Sequence, residues 1–223
     1  FSWLRDKKKY FSSVKSLSAE NDALKKELLD TRAELNRLNL IENENSQLEA
    51  LLDIKNQYKD YSVVGAKVIG KDPGNWFSTF TIDKGSNDGI EKDMNVIAGG
   101  GLVGIITEVG PNYAQIKTVI EDNSYVSGML IDTGDTCIVK GDIELMDTGL
   151  IHLSGFANSV TVRNGDKIVT SNISDKYLPG ILIGYTKDVT ADANNLTQAG
   201  YLVPAVDFGH LQEVLIITQK KNS

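Results

Sequence analysis

A single cysteine, two histidines and four prolines are all that the 223 residues contain of those types. Cys137, alone, excludes an intrachain disulfide, and with only His152 and His210 there is no Cys/His cluster able to hold zinc. No metal and no cofactor is therefore expected. Within its apolar run Cys137 reads as a small buried side chain. So few cysteines suit the cytoplasm or the outside of a bacterium whose surface proteins avoid disulfides, and composition leaves both open. No run of about 20 apolar residues occurs, so nothing in this sequence reads as a membrane-spanning helix.

Basic charge is scarce after residue 60. Residues 1–60 hold 11 Lys and Arg against 11 Asp and Glu, whereas residues 61–223 hold 12 against 19, so the net charge of −7 belongs to the C-terminal part. An acidic head is repelled by phosphate backbones and anionic lipid, which argues against nucleic acid as a partner. The start of the chain differs: Phe1, Trp3, Leu4, Tyr10 and Phe11 sit beside Arg5, Lys7, Lys8 and Lys9. Aromatic and basic residues together mark an interfacial segment. Residues 1–10 therefore read as the juxtamembrane stump of something longer, with a frayed, solvated helix start as the alternative.

Glycine and proline are both missing before Gly65, and in their place runs a heptad repeat. Val14, Leu17, Asn21, Leu24, Leu28, Thr31, Leu35 and Leu38 occupy successive a and d positions. Glu20, Glu27 and Glu34 fall at g, with Lys25 and Arg32 at e. In a parallel pair g faces the following e of the partner, which sets Glu20 against Lys25 and Glu27 against Arg32. Asn21 at a costs stability but selects two strands in register. The expectation is a parallel dimeric coiled coil over residues 11–58, with Leu17, Asn21, Leu24, Leu28, Leu35 and Leu38 as its dimerisation residues. Beyond Leu38 the frame shifts by three, making Asn45 and Leu52 a and Ile41 and Leu48 d, which disturbs the supercoil locally. A helical hairpin is the alternative, and no turn signal between Ser18 and Lys59 supports it.

After Tyr61 the period changes to short β-branched runs between Gly, Asn and Asp. Strands are predicted over Val63–Ile69, Phe77–Ile82, Asn95–Ile97, Leu102–Val109, Gln115–Ile120, Tyr125–Ile131, Thr136–Lys140, Leu150–Leu153, Lys167–Thr170, Ile181–Asp188, Gln198–Val203 and Leu211–Thr218. No helical period appears. The fold class expected is mainly β: two small barrels, 61–128 and 129–218, followed by a 219–223 tail, with the last strand open to returning to the first barrel.

Three motifs tempt towards chemistry. Gly99-Gly100-Gly101-Leu102-Val103-Gly104 matches G-x-G-x-x-G, but a strand run follows where a dinucleotide fingerprint needs a helix. Asp132-Thr133-Gly134 and Asp147-Thr148-Gly149 repeat the triplet of aspartic proteases, 15 residues apart and too close for separate lobes. One Asp132-Thr133-Gly134 per subunit of a dimeric aspartic-type protease is the alternative function. His152 in a strand run and His210 after Gly209 lack a nucleophile elbow, so no Ser-His-Asp triad is read from them. No catalytic residue is assigned, and the chain reads as a non-enzymatic scaffold.

A resemblance adds to this. The stretches Ala66–Phe77 (AKVIGKDPGNWF), Ile82–Ile90 (IDKGSNDGI), Gly101–Gly104, Gly165–Ser171 (GDKIVTS), Tyr177–Gly184 (YLPGILIG) and Val203–Phe208 (VPAVDF), after a coiled-coil exit at Glu44–Leu52, are similar in order to MreC, the bacterial rod-shape-determining family. Departures are Ile105 in place of an arginine and Asn172-Ile173-Ser174-Asp175 in place of glycines. The resemblance implies two barrels of trypsin-like topology without catalytic residues, and a homodimer, with head filaments known in the family. It also implies a single-pass cell-membrane protein whose absent N-terminal helix leaves this region on the extracytoplasmic side. Its partners would be a class B penicillin-binding protein, MreD, RodA and MreB, in the rod complex that organises side-wall peptidoglycan synthesis and cell shape. For contacts, Trp76 and Phe77 beside the Asp72–Asn75 turn are the candidates, along with short barrel edges open to β-augmentation; both rings capping the first barrel is the competing reading.

Overall fold

The computed structural model describes residues 21, 24–46, 48, 52, 58, 61–72, 77–146, 148–192 and 196–221. Leu17, Trp76, Asp147 and the expected stump over residues 1–10 lie outside the described residues. The chain divides into two units, Phe1–Glu49 and Ala50–Ser223.

In the first unit, residues 24–46 form one continuous helix (α1), and Asn21 and Leu48 are helical as well. The apolar seam of this helix faces water. Leu24, Leu28, Leu35 and Leu38 are 50–58% exposed, and Thr31 back-bonds from Oγ1 to the Glu27 carbonyl at 2.7 Å.

The second unit holds β1 (Val63–Lys71), β2 (Thr79–Ile82), β3 (Asn95–Ala98), β4 (Gly101–Val109), β5 (Ala114–Thr118), β6 (Tyr125–Leu130), β7 (Thr136–Lys140), the short helix α2 (Ile143–Met146), β8 (Ile151–Ala157), β9 (Lys167–Thr170), β10 (Leu182–Ala191), β11 (Thr197–Pro204) and β12 (Glu213–Ile217). They close into two six-stranded barrels, ordered β1-β12-β3-β4-β5-β2 and β10-β11-β8-β7-β6-β9. The fold class is the expected one, mainly β with two barrels. Closure pairs every strand on both sides, which corrects the expectation of edges open to β-augmentation. The chain crosses between barrels in residues 119–124, ahead of the expected boundary near 128, because all of β6 pairs within the second barrel. β12 returns to lie between β1 and β3, so the first barrel closes only with the last strand of the chain.

Period two explains most strands. β5, β6 and β7 alternate buried and outward positions, turning Ile116, Val126 and Val139 inward. Full burial of Phe80, Ile82, Leu102 and Ile106 in one barrel, and of Phe156, Leu153, Ile168 and Ile183 in the other, stabilises by about 1.5–3 kcal/mol each. β3 breaks the alternation, since all four of its residues are buried. At its head, Asn95 is covered by the loop of the second barrel that precedes β10.

Two differences from the sequence reading have plain causes. Phe77 is not in β2, because its φ of 55° places it in the left-handed region, where no strand continues. α2 was not expected, and one turn is too short to show a helical period.

Candidate functional site

The Gly99-Gly100 pair is a two-residue hairpin loop between paired Ala98 and Gly101, with φ of 56° and 80°. Both central residues with positive φ make the turn that matches strand twist, so these glycines serve the hairpin rather than a phosphate. Asp132-Thr133-Gly134 is likewise the exposed tip of the β6–β7 hairpin. Gly134 N–H donates to the Leu130 carbonyl at 2.9 Å, and Thr133 Oγ1 donates to Asp135 at 2.7 Å. A carboxylate at a solvated tip has none of the burial that lets an aspartate pair share a proton. His152 Nε2 meets Asp142 Oδ2 at 2.9 Å on the outward face of β8 and stacks on Tyr201 at 5.9 Å; His210 Nδ1 meets Asp207 at 2.8 Å in an exposed loop. Among the described residues no serine hydroxyl bonds either imidazole.

Cys137 is buried in β7, and burial pushes its thiol up to about 12. The nucleophilic thiolate is therefore scarce at neutral pH. Iodoacetamide at pH 7.5 is expected to leave Cys137 unmodified over hours in the folded chain and to alkylate it within minutes in urea, as read by mass spectrometry. Fast labelling of the folded chain would show that β7 opens locally.

Phe77, a candidate contact, stacks on Phe80 at 6.3 Å, with Lys71 Nζ 5.4 Å from its ring centroid. Half-buried, it packs against the core of the first barrel.

The polar groups that sequence reasoning missed lie where the barrels meet. Asn95 opens β3 and is 1% exposed. Its Nδ2 donates to the Lys176 carbonyl at 3.0 Å and its Oδ1 accepts from Leu178 N–H at 2.7 Å, both in the loop that precedes β10. Tyr58 does the same from the other side, donating to the Gly100 carbonyl at 2.9 Å and accepting from Leu182 N–H at 3.3 Å. Burial raises its phenol pKa, against the Leu182 hydrogen bond. Tyr61 Oη reaches the Pro179 carbonyl at 3.0 Å. An Asn heading an otherwise apolar strand, Asn95-Val96-Ile97-Ala98, was the available signal for this seam.

A head of two closed barrels joined by such a seam can be compared with known proteins. The family described as Rod shape-determining protein MreC, barrel core, matches residues 68–218. The chain belongs to the MreC family. Cell shape-determining protein MreC of Listeria monocytogenes is 29% identical over 206 residues, covering 92% of this chain and 70% of that protein. A solved MreC of the same species superposes with a TM-score of 0.66 at 29% identity, covering 85% of this chain and 95% of that one. The major periplasmic domain of the cell shape-determining filament MreC matches over 70% of this chain and 95% of its own, at a TM-score of 0.59 and 20% identity, a likeness of fold. So does MreC from a complex with Penicillin-Binding Protein (PBP2) of Helicobacter pylori, over 71% of this chain and all of that one, at 0.54 and 10%. MreC proteins determine cell shape, and the barrels are the part of this chain that carries the family signature.

Proposed function

We propose that this chain is the extracytoplasmic part of a dimeric scaffold of the cell-elongation complex. Its α1 helix pairs two copies and its barrel head binds a class B penicillin-binding protein. The observation that carries the reading is the stripe Leu24, Leu28, Leu35 and Leu38, each about half exposed along one helix. Most of a helix's stability in water comes from packing of its apolar face rather than from propensity, and a seam of leucines at a and d positions supplies that packing against a second copy. The complex of PBP2 with an MreC of the same fold supports the penicillin-binding protein as partner, and periplasmic MreC domains support the extracytoplasmic side. Membrane attachment would come from a preceding single helix, and MreD, RodA and MreB would be reached through that membrane assembly. Trp76 and Phe77 are retained as candidate contacts.

The test is complementation. In rod-shaped cells depleted of their own MreC, this chain fused behind a single membrane-spanning helix is expected to restore rods and to co-purify with the class B penicillin-binding protein. The same fusion lacking residues 24–46 is expected to leave cells round. Round cells with both fusions at normal protein levels would overturn the reading.

A further inference from the structure

The loop from Ser171 to Ile181 is a finger of the second barrel, braced on the residue before it. Thr170 N–H donates to the Ile181 carbonyl at 2.8 Å, and Gly180 N–H donates to the Thr170 carbonyl at 3.0 Å. Thr170 Oγ1 donates to the Leu178 carbonyl at 2.6 Å and accepts from Ile181 N–H at 2.9 Å. Thr170 is wholly buried, where such bonds are stronger than in water. Ser171 N–H donates to the Ser127 carbonyl at 2.8 Å, tying the base of the finger to β6. The finger holds its shape from within its own barrel.

Its far side is gripped from outside that barrel. Asn95 of β3 binds Lys176 and Leu178, and Lys221 Nζ reaches the Asn172 carbonyl from beyond β12. Tyr61 Oη donates to the Pro179 carbonyl at 3.0 Å. Tyr58 Oη bridges Leu182 N–H, just past the finger, and the Gly100 carbonyl of the β3–β4 hairpin. Tyr61 N–H donates to the Tyr58 carbonyl at 3.0 Å, so the two phenols are set by a single turn of chain. The hairpin they hold has no slack: a Cβ at Gly101 would stand 2.7 Å from Ala205 Cβ and 3.4 Å from the Leu182 carbonyl.

Two covalent crossings join the barrels, residues 119–124 and 205–212. Bodies linked in this way move relative to one another unless their contacts forbid it. Tyr58 and Tyr61 differ from the other ties in one respect. Asn95 belongs to a strand paired on both sides, whereas the two tyrosines precede β1 and leave the junction without unpairing any strand. They also lie on the covalent path from the first unit into the barrels.

We propose that Tyr58 and Tyr61 form a removable strap. In place, it holds the two barrels as one body. Drawn off the junction by the chain ahead of it, it releases Leu182 and Pro179 together with Gly100, and the barrels turn about the two crossings. The conformation of the head is then set through the segment by which the chain enters it. Neither dimerisation nor the identity of any partner enters this inference.

The test uses the full chain with Tyr58→Phe and Tyr61→Phe, which keep both rings and remove the hydroxyls. Spin labels at Glu108→Cys on β4 and Asp132→Cys at the β6–β7 tip, both exposed, read the distance between the barrels by pulsed electron resonance. Buried Cys137 takes no label, and dilution into unlabelled chain restricts the signal to distances within one copy. One narrow distance is expected with both tyrosines present, and a distribution roughly twice as wide in the double variant. Amide exchange followed by NMR supplies the second readout. Leu178 N–H, whose acceptor Asn95 is untouched, should exchange roughly tenfold faster in the double variant, with the amides of β7 unchanged. Tyr58→Phe alone, the milder change, should accelerate Leu182 N–H by a similar factor. An unchanged distance distribution overturns the proposal. So does acceleration confined to Leu182, which would make the tyrosines local ties only. Equal acceleration in β7 overturns it as well, because it reports general destabilisation rather than release at the junction.

Discussion

Replacing Leu28 and Leu35 with aspartate is expected to turn a particle of twice 24.4 kDa into one of 24.4 kDa at tens of micromolar chain, measured by light scattering. Both residues occupy a positions, and both are about half exposed on the lone helix, at 50% and 56%. Pairing would bury what is now exposed. Full burial of a leucine is worth about 1.5–3 kcal/mol, and pairing buries about the half now exposed, so four side chains in two layers amount to about 3–6 kcal/mol. At 1.4 kcal/mol per decade, the lower figure weakens dimerisation by roughly two orders of magnitude. The aspartates add the cost of like charges facing each other across the seam. Leu29→Asp is the control. Leu29 is 65% exposed and stands next to Leu28, but at a b position that points away from the seam, so its loss should leave the dimer intact. A wild-type chain that scatters as a monomer would end the coiled-coil reading, and equal damage from Leu29→Asp would relocate the interface.

The barrels were more legible in the sequence than the seam that joins them. The run Thr136–Lys140 coincides with β7 because alternation on a half-buried sheet is a local signal, and Lys167–Thr170 coincides with β9 as a short β-branched run after the Asn164-Gly165-Asp166 turn. Boundaries slipped where backbone geometry took over. Val119 and Ile120, the end of the fifth run, leave the strand in a turn after Thr118, and Phe77 leaves the second run through its positive φ. The turn at Gly99-Gly100 and the hairpin tip at Asp132-Thr133-Gly134 were readable as turns because glycine at positive φ is a local requirement. By contrast, Asn95 and Leu178 lie 83 positions apart, and Tyr58 and Leu182 lie 124 apart. No periodicity reports such a pair.

Asn95→Ala is expected to destabilise the head by about 2–6 kcal/mol, since it strands two buried backbone groups, the Lys176 carbonyl and the Leu178 N–H, at about 1–3 kcal/mol each. Urea midpoints measured on the full chain and on this variant give the difference. Asn95→Asp separates hydrogen bonding from shape, because the side chain keeps its size and Oδ1 still accepts from Leu178 N–H. What changes is the other arm. An ionised carboxylate cannot donate to the Lys176 carbonyl and is repelled by it, whereas a protonated one restores the bond. At a site only 1% exposed, both burial and that carbonyl favour the neutral acid, so the folded state raises the carboxyl pKa above its unfolded value. The sign follows from linkage. The variant should approach wild-type stability below about pH 3.9, the unfolded value, and fall progressively behind as pH rises towards the folded one. A stability difference that stays flat from pH 3 to 7 would mean that Asn95 fills space rather than bridges the barrels. The loop that Asn95 holds also carries Ile173, so the Ile173 methyl resonance should shift in Asn95→Ala even though Ile173 itself is untouched. A change in one barrel is then felt in a loop of the other.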